Sequence, residues 1–142
     1  MAHPMQESTQ VAESAFEFLI NRGFTLEERW VTGGESFKDG WRLSYSSPAI
    51  RLTVQYLDAQ FEIHFERAGV SASYLAIDCD LFGRRSGFHG DMFPPQKLEG
   101  AITRIAEDIS KHYDRILSGD ESEWTRIARL QTEKSRTSRL PD

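Results

Sequence analysis

The strictest alternation of apolar and polar residues in this chain runs from Trp41 to Glu66, and it predicts three antiparallel strands joined by two short turns. A turn at Asp58-Ala59 places three apolar pairs on one face: Tyr56 with Phe61, Val54 with Ile63, and Leu52 with Phe65. The opposite face then carries polar pairs: Gln55 with Glu62, Thr53 with His64, and Arg51 with Glu66. A register shifted by one residue would bury charge, so the pattern selects this pairing.

The same rule applied to a turn at Ser47-Pro48 aligns the first two strands of this meander. It pairs Tyr45 with Ile50, Leu43 with Leu52, and Trp41 with Val54. Upstream, Phe24 to Thr32 predicts a further strand, in which Phe24, Leu26 and Trp30 share the core face and Glu28 interrupts it. In this register Trp30, Trp41 and Tyr45 all face the core.

Helical periodicity flanks the strands on both sides. A first helix is predicted from an apolar stripe (Val11, Ala12, Ala15, Phe16, Leu19, Ile20), after ten frayed polar residues and before a left-handed cap at Gly23. A long helix is predicted from Pro95 to Ser118, on the spacing of Leu98, Ala101, Ile102, Ile105, Ile109, Tyr113 and Ile116. A short last helix follows, capped by Asp120 with Glu123 reaching back, and the apolar stripe is lost from Thr132 onward.

Between the meander and the long helix lie one more strand and a long loop. Alternation from Ser71 to Leu81 predicts strand five, with Cys79 on its apolar side. Phe82 to Phe93 has no periodicity and predicts a surface loop. The expected fold is therefore α+β: an antiparallel meander of about five strands, with an N-terminal helix, a long C-terminal helix and a short final helix packed on one face. Residues 1–131 form one domain in this prediction, and residues 132–142 a flexible tail.

Charge and composition limit the classes of partner that this chain is expected to bind. The 142 residues carry a formal charge of -5 and a sequence pI near 5.4, which opposes phosphate binding and favours a basic protein over nucleic acid as a partner. One cysteine permits no internal disulfide, and the sequence shows neither a signal peptide nor an apolar run that would span a membrane. The expected location is the cytoplasm, with no membrane partner.

The sequence contains no recognisable catalytic, nucleotide or cofactor motif, so we expect a non-enzymatic protein without a cofactor. The best alternative is a small enzyme or a ligand- or metal-binding protein. It would use Asp78, Asp80, His89 and Asp91, if carboxylates at a strand end converge with the His-x-Asp loop on a cation. Solvated loop carboxylates are the simpler interpretation of the same residues.

Partner-binding candidates lie in the loops and on the polar sheet face. Phe37 and Phe88 are aromatic residues in loops, and Arg84 and Arg85 could hold a partner carboxylate. His89 and Asp91 belong to the same long loop, whereas Glu62 and His64 lie on the polar face of the sheet. That face either points to solvent or docks a partner, and the pattern alone leaves both open.

Several turn and core positions resemble a known group of proteins. They are Phe18-Leu19, Gly23-Phe24, Tyr45-Ser46, Tyr56, Tyr113, Ile116 to Asp120, and Trp124. Over residues 16–127 this pattern resembles small bacterial proteins, some of which are similar to immunity proteins encoded beside polymorphic toxins. It departs after Tyr56, where Leu57 precedes Asp58. The resemblance implies a non-enzymatic protein-binding module, and the acidic charge of the chain suits neutralisation of a basic toxin. A structural homodimer, built on an open sheet edge or face, is a third hypothesis.

Overall fold

Five antiparallel strands form one sheet in which each strand pairs with the next along the chain. The computed structural model describes residues 4–32, 40–57, 60–83 and 95–139, with side chains for residues 7–32, 40–57, 60–83 and 97–133. The strands are β1 (Thr25–Val31), β2 (Gly40–Ser46), β3 (Arg51–Leu57), β4 (Gln60–Arg67) and β5 (Val70–Ser73). The predicted α+β class and five-stranded meander are confirmed.

Helices precede and follow the sheet. They are α1 (Pro4–Ala15), α2 (Phe18–Asn21), α3 (Tyr74–Ala76), α4 (Pro95–His112), α5 (Asp114–Leu117) and α6 (Glu121–Arg139), with one π-helical turn at Ile77–Leu81. Regular structure begins at Pro4, inside the segment expected to fray, because Ser8 and Thr9 are buried. The chain leaves α2 through Gly23 at φ +93°, as its predicted left-handed role requires. None of the helices in the described ranges is long and apolar enough to cross a membrane.

The register of the meander is confirmed on one side and corrected on the other. β3 and β4 pair as predicted, with Val54 opposite Ile63 and Thr53 opposite His64. The β2–β3 pairing is shifted by two residues, so that Tyr45 faces Leu52 instead of Ile50. The shift arises because the turn lies one residue later than predicted: the backbone N–H of Ser47 donates to the carbonyl of Ile50 at 2.9 Å, so Pro48 and Ala49 occupy the turn. The Ser47 hydroxyl supports this turn by accepting hydrogen bonds from the backbone N–H groups of Ala49 and Ile50, at 3.1 and 3.2 Å. A shift of two residues leaves every side chain on its predicted face.

An irregularity in β1 changes the face on which its later residues lie. The pairing with β2 jumps from Leu26, opposite Tyr45, to Glu28, opposite Ser44, which leaves Glu27 as an extra residue in a bulge. Beyond the bulge, Trp30 lies opposite Arg42 and therefore on the polar side of the sheet. The prediction that Trp30 faces the core is wrong, and its side chain is 42% exposed.

The helices cover the apolar face of the sheet. Phe16 lies against Tyr45, with ring centroids 6.5 Å apart, and Tyr113 stacks on both Phe65 and Tyr74 at 5.5 Å. One face of α4 is buried against this layer through Leu98, Ala101, Ile102, Ile105, Ala106 and Ile109. Trp41 and Tyr45 are buried as predicted, whereas Ile20 is 46% exposed and does not belong to the core.

The fifth strand is shorter than the alternation predicts. It ends at Ser73, whose hydroxyl accepts a hydrogen bond from the backbone N–H of Ala76 at 3.1 Å and so caps α3. The chain then enters the π-helical turn, in which the N–H of Phe82 donates to the carbonyl of Ile77 at 3.0 Å. The prediction of a strand up to Leu81 is therefore wrong beyond Ser73, and Cys79 is only half-buried.

The C-terminal helices differ from their predicted bounds. The long helix is interrupted at Tyr113, which separates α4 from α5. Asp120 caps α6 as predicted, but its own backbone N–H donates to the carbonyl of Arg115, so Glu123 does not reach back to it. α6 continues to Arg139, into the segment for which the sequence predicts a loose tail. Four of the eight residues from Thr132 to Arg139 are Glu, Lys or Arg, whose high helix propensity favours this extension without an apolar stripe.

Candidate functional site

The side of the sheet turned away from the helices carries mainly polar side chains, and we call it the open face. It consists of Glu28, Trp30, Arg42, Ser44, Thr53, Gln55, Glu62 and His64, which cross-strand pairing places on one side. Ser44 is buried, whereas the side chains of Arg42, Glu62 and His64 are each about 40% exposed. The open face is therefore accessible over the strands β1 to β4.

A chain of side-chain contacts crosses the open face from strand to strand. Arg42 lies 3.8 Å from a Glu28 oxygen and donates from Nε to Oε1 of Gln55 at 3.2 Å. Gln55 donates from Nε2 to Oε2 of Glu62 at 3.1 Å, and the same Glu62 oxygen lies 3.1 Å from Nε2 of His64. Each side chain is held by its neighbour, so the surface is ordered before any partner arrives.

The bulge extends this surface at its other end. Glu27 accepts a hydrogen bond from the hydroxyl of Ser46 and lies 3.4 Å from Nη2 of Arg51. Arg51 lies opposite Glu66 on the same side of the sheet. Four glutamates (Glu27, Glu28, Glu62 and Glu66) thus share the surface with two arginines (Arg42 and Arg51), which leaves an excess of two negative charges when His64 is neutral.

Trp30 is the large apolar side chain in this polar surrounding. It lies opposite Arg42, at the end of the contact chain that includes Glu28. An exposed tryptophan with ordered polar neighbours is a typical anchor of protein interfaces. Strict alternation assigns Trp30 to the core and hides this role, although Glu28 at a predicted core-facing position is a signal that the strand changes phase.

The predicted partner-binding residues fall into two groups. Glu62 and His64 lie side by side on the open face, in contact through Oε2 and Nε2. Phe37, Arg84, Arg85, Phe88, His89 and Asp91 lie outside the described residues. The predictions for those six positions stay predictions.

The proposed acid and metal cluster is only half described. Asp78 and Asp80 belong to the π-helical turn and not to a strand end, and Asp78 is buried whereas Asp80 is exposed. His89 and Asp91 lie outside the described residues. Within the ranges that the structure describes, no three His, Cys, Asp or Glu side chains are grouped so that they could hold a metal ion.

A cleft opens beside the open face, where α6 runs along β5. Its volume is about 300 Å³, at the lower end of the range for small-ligand sites. Its walls are mostly apolar (Ala72, Ala76, Ile77, Ile127 and Leu130), with polar groups from His64, Ser71, Ser73, Asp80 and Gln131. His64 belongs both to this cleft and to the open face, so the two surfaces are continuous.

Comparison of the chain with protein-family models, with curated proteins and with solved structures gives no match.

Proposed function

We propose that this chain is a non-enzymatic protein-binding module that docks a basic protein on its open face. The observation that carries the proposal is Trp30, which is 42% exposed within an ordered polar surface. Full burial of a large apolar side chain is favourable by roughly 1.5–3 kcal/mol, and a partner that covers Trp30 gains the part of this free energy that corresponds to its exposed fraction.

The charge of the open face favours a basic partner. The surface has two more glutamates than arginines, and the whole chain has a formal charge of -5. Charges of opposite sign accelerate encounter and orient the two proteins, and they do so most strongly at low ionic strength. A partner with exposed lysines and arginines around an apolar contact for Trp30 fits both features.

Neutralisation of a basic toxin is the specific form of this function that the sequence resemblance suggests. An acidic, pre-ordered surface on a rigid sheet suits that role, because little conformational entropy is lost when such a surface binds. The particular toxin, and the assignment to immunity proteins, are part of the proposal.

The proposal is tested with the product of the neighbouring gene, expressed together with this chain and then purified. We expect a complex whose affinity, measured by calorimetry, falls about tenfold or more in Trp30→Ala, since interface tryptophans often contribute over 1 kcal/mol. If the neighbour is a toxin, co-expression should also restore growth. Association should slow as salt is raised.

Ile20→Ala is the matched control, because Ile20 is the other exposed large hydrophobic residue of the described chain and lies on α2, away from the open face. It should leave the affinity unchanged. An affinity that Trp30→Ala and Ile20→Ala reduce equally, or no complex with the neighbouring product, would count against the proposal.

The homodimer hypothesis receives little support from the β1 edge of the sheet. β1 is an edge strand, but it carries Glu27, Glu28 and Arg29 and contains the bulge. Charged residues and bulges on an edge strand oppose pairing with a second copy.

A further inference from the structure

The cleft beside the open face combines an apolar interior with one negatively charged group. Among its described lining residues, Asp80 is the only side chain with a full charge at neutral pH when His64 is neutral, and none of these residues is a lysine or an arginine. Ala72, Ile77 and Ile127 are buried, and Leu130 is half-buried, so much of the lining is apolar. These features favour a ligand with an aliphatic stem and a cationic end.

We propose that this cleft binds a lysine side chain of the basic partner, with its methylene groups along Ala72, Ala76 and Leu130 and its ammonium at the carboxylate of Asp80. This inference rests on the proposed function, which it extends from the open face to a second, deeper contact. Lysine places an ammonium with three donors at the end of four methylenes.

The polar groups of the cleft match an ammonium. A carboxylate has about four lone-pair positions, so Asp80 can receive the ammonium in addition to its other contacts. The exposed hydroxyl of Ser71 and the side-chain oxygen of Gln131 are further acceptors along the same lining. Ser73 is already engaged as the cap of α3, which fixes the wall on which the stem would lie.

The surroundings reinforce the preference for a cation. Glu62 touches His64, which lines the cleft, and Glu66 lies opposite Ser71 across the β4–β5 pair. These carboxylates lower the electrostatic energy of a positive charge that enters from the open face. Because His64 belongs to both surfaces, one partner can cover Trp30 and insert a lysine at the same time.

The π-helical turn gives the cleft its shape. It follows α3 directly, and both Ile77 and Asp80 of this turn line the cleft. A π-turn widens the backbone by one residue relative to an α-helix, and such turns often occur at functional sites. Here it places a buried apolar residue and an exposed carboxylate in the same wall.

The test uses a lysine probe, Nα-acetyl-lysine N-methylamide, titrated into the full chain and followed by amide NMR shifts. We expect saturable shifts at Ala72, Ala76 and Gln131. The norleucine analogue lacks only the ammonium and should bind more weakly. Asp80→Asn should weaken the lysine probe by about fivefold, the range of a partly exposed ion pair, and leave the norleucine analogue unchanged.

No shift at these amides, or equal binding of the lysine and norleucine probes, would overturn the cleft site. Ala76→Leu should fill the cleft and abolish the shifts, and unchanged probe binding in that variant would also overturn it. These results are independent of the test of the open face. If Trp30→Ala weakens the partner while the lysine probe leaves the cleft unperturbed, the open-face proposal stands and the cleft proposal falls.

Discussion

The indole nitrogen of Trp41 donates a hydrogen bond to the hydroxyl of Ser8 at 2.8 Å, and both side chains are buried. This contact joins the second turn of α1 to β2, the strand that carries Arg42 on its other side. A buried N–H without an acceptor would be costly, so the hydroxyl of Ser8 fixes where the N-terminal helix lies on the sheet. Residues 4–10 are therefore part of the folded structure.

Ser8→Ala should lower the free energy of unfolding by about 1–3 kcal/mol, because it leaves the indole N–H of Trp41 buried without this acceptor. Trp41→Phe removes the donor, so Ser8→Ala should cost clearly less in that background. Urea unfolding of the two single variants and the double variant measures this coupling. Ser118→Ala, at an exposed hydroxyl, should change stability by no more than about 0.5 kcal/mol. If the effects of Ser8→Ala and Trp41→Phe on the free energy of unfolding were additive, the role assigned to the hydrogen bond would be contradicted.

The sequence predicted the β3–β4 pair because its side chains divide cleanly between two faces. Every one-residue shift would place a residue such as Glu62 against the core, and the structure has Gln55 opposite Glu62 as expected. The β2–β3 register was harder, because a shift of two residues keeps all side chains on the same face. Only the hydrogen bonds of Ser47 within the turn decide between the two registers.

Trp30 could not be placed by periodicity alone. An unbroken strand would set Leu26, Glu28 and Trp30 on one face, and the observed bulge at Glu27 moves the last two to the other. The cost of burying Glu28 is the physical reason for this change of phase. The cleft could not be predicted from the sequence either, because it depends on how α6 lies against β5. Its lining residues Leu130 and Ala72 are far apart in the sequence.

Gly40 lies opposite Leu57 on the open face, and a Cβ there would stand 2.0 Å from the Tyr56 carbonyl oxygen and 2.7 Å from Cδ2 of Leu57. Gly40→Ala should therefore destabilise the fold by about 1–3 kcal/mol through overpacking against backbone. Gly100→Ala is the same chemical change on α4, where a Cβ meets nothing within 4 Å. It should stabilise by about 0.5–1 kcal/mol, through helix propensity. Thermal unfolding of both variants checks the opposite signs, and a loss of stability in both would refute this account.

The cap of α6 should make the stability of the folded state sensitive to acid. Oδ1 of Asp120 accepts hydrogen bonds from the hydroxyl and the backbone N–H of Ser122, at 2.7 and 2.8 Å. These bonds hold the pKa of Asp120 below its ordinary value of 3.8, and the bond from the Ser122 hydroxyl has the largest effect. A lowered pKa stabilises the folded state above the ordinary value, and this contribution is lost as the pH falls through the lowered pKa.

Asp120→Asn keeps a capping oxygen but cannot titrate. We expect it to be nearly as stable as the wild type at pH 7 and to lose less stability on acidification, whereas Asp120→Ala should be less stable already at pH 7. Urea midpoints measured from neutral pH to below the ordinary pKa separate the three proteins. Identical acid profiles for the wild type and Asp120→Asn would show that this carboxylate is not involved.

Tyr45 should make the protein sensitive to alkali. Burial, together with the negative charge of Glu13, raises the pKa of Tyr45 from 10.0 to about 12. The unfolded chain therefore releases this proton at a lower pH than the folded chain. The contribution of Tyr45 to the free energy of unfolding is complete below pH 10 and is lost as the pH rises toward 12. Tyr45→Phe should flatten the fall in unfolding free energy across this interval, with Tyr56, whose pKa burial also raises, causing a remaining decline. Chemical unfolding at several alkaline pH values measures the slope, and an equally steep fall in Tyr45→Phe would rule out Tyr45 as its source.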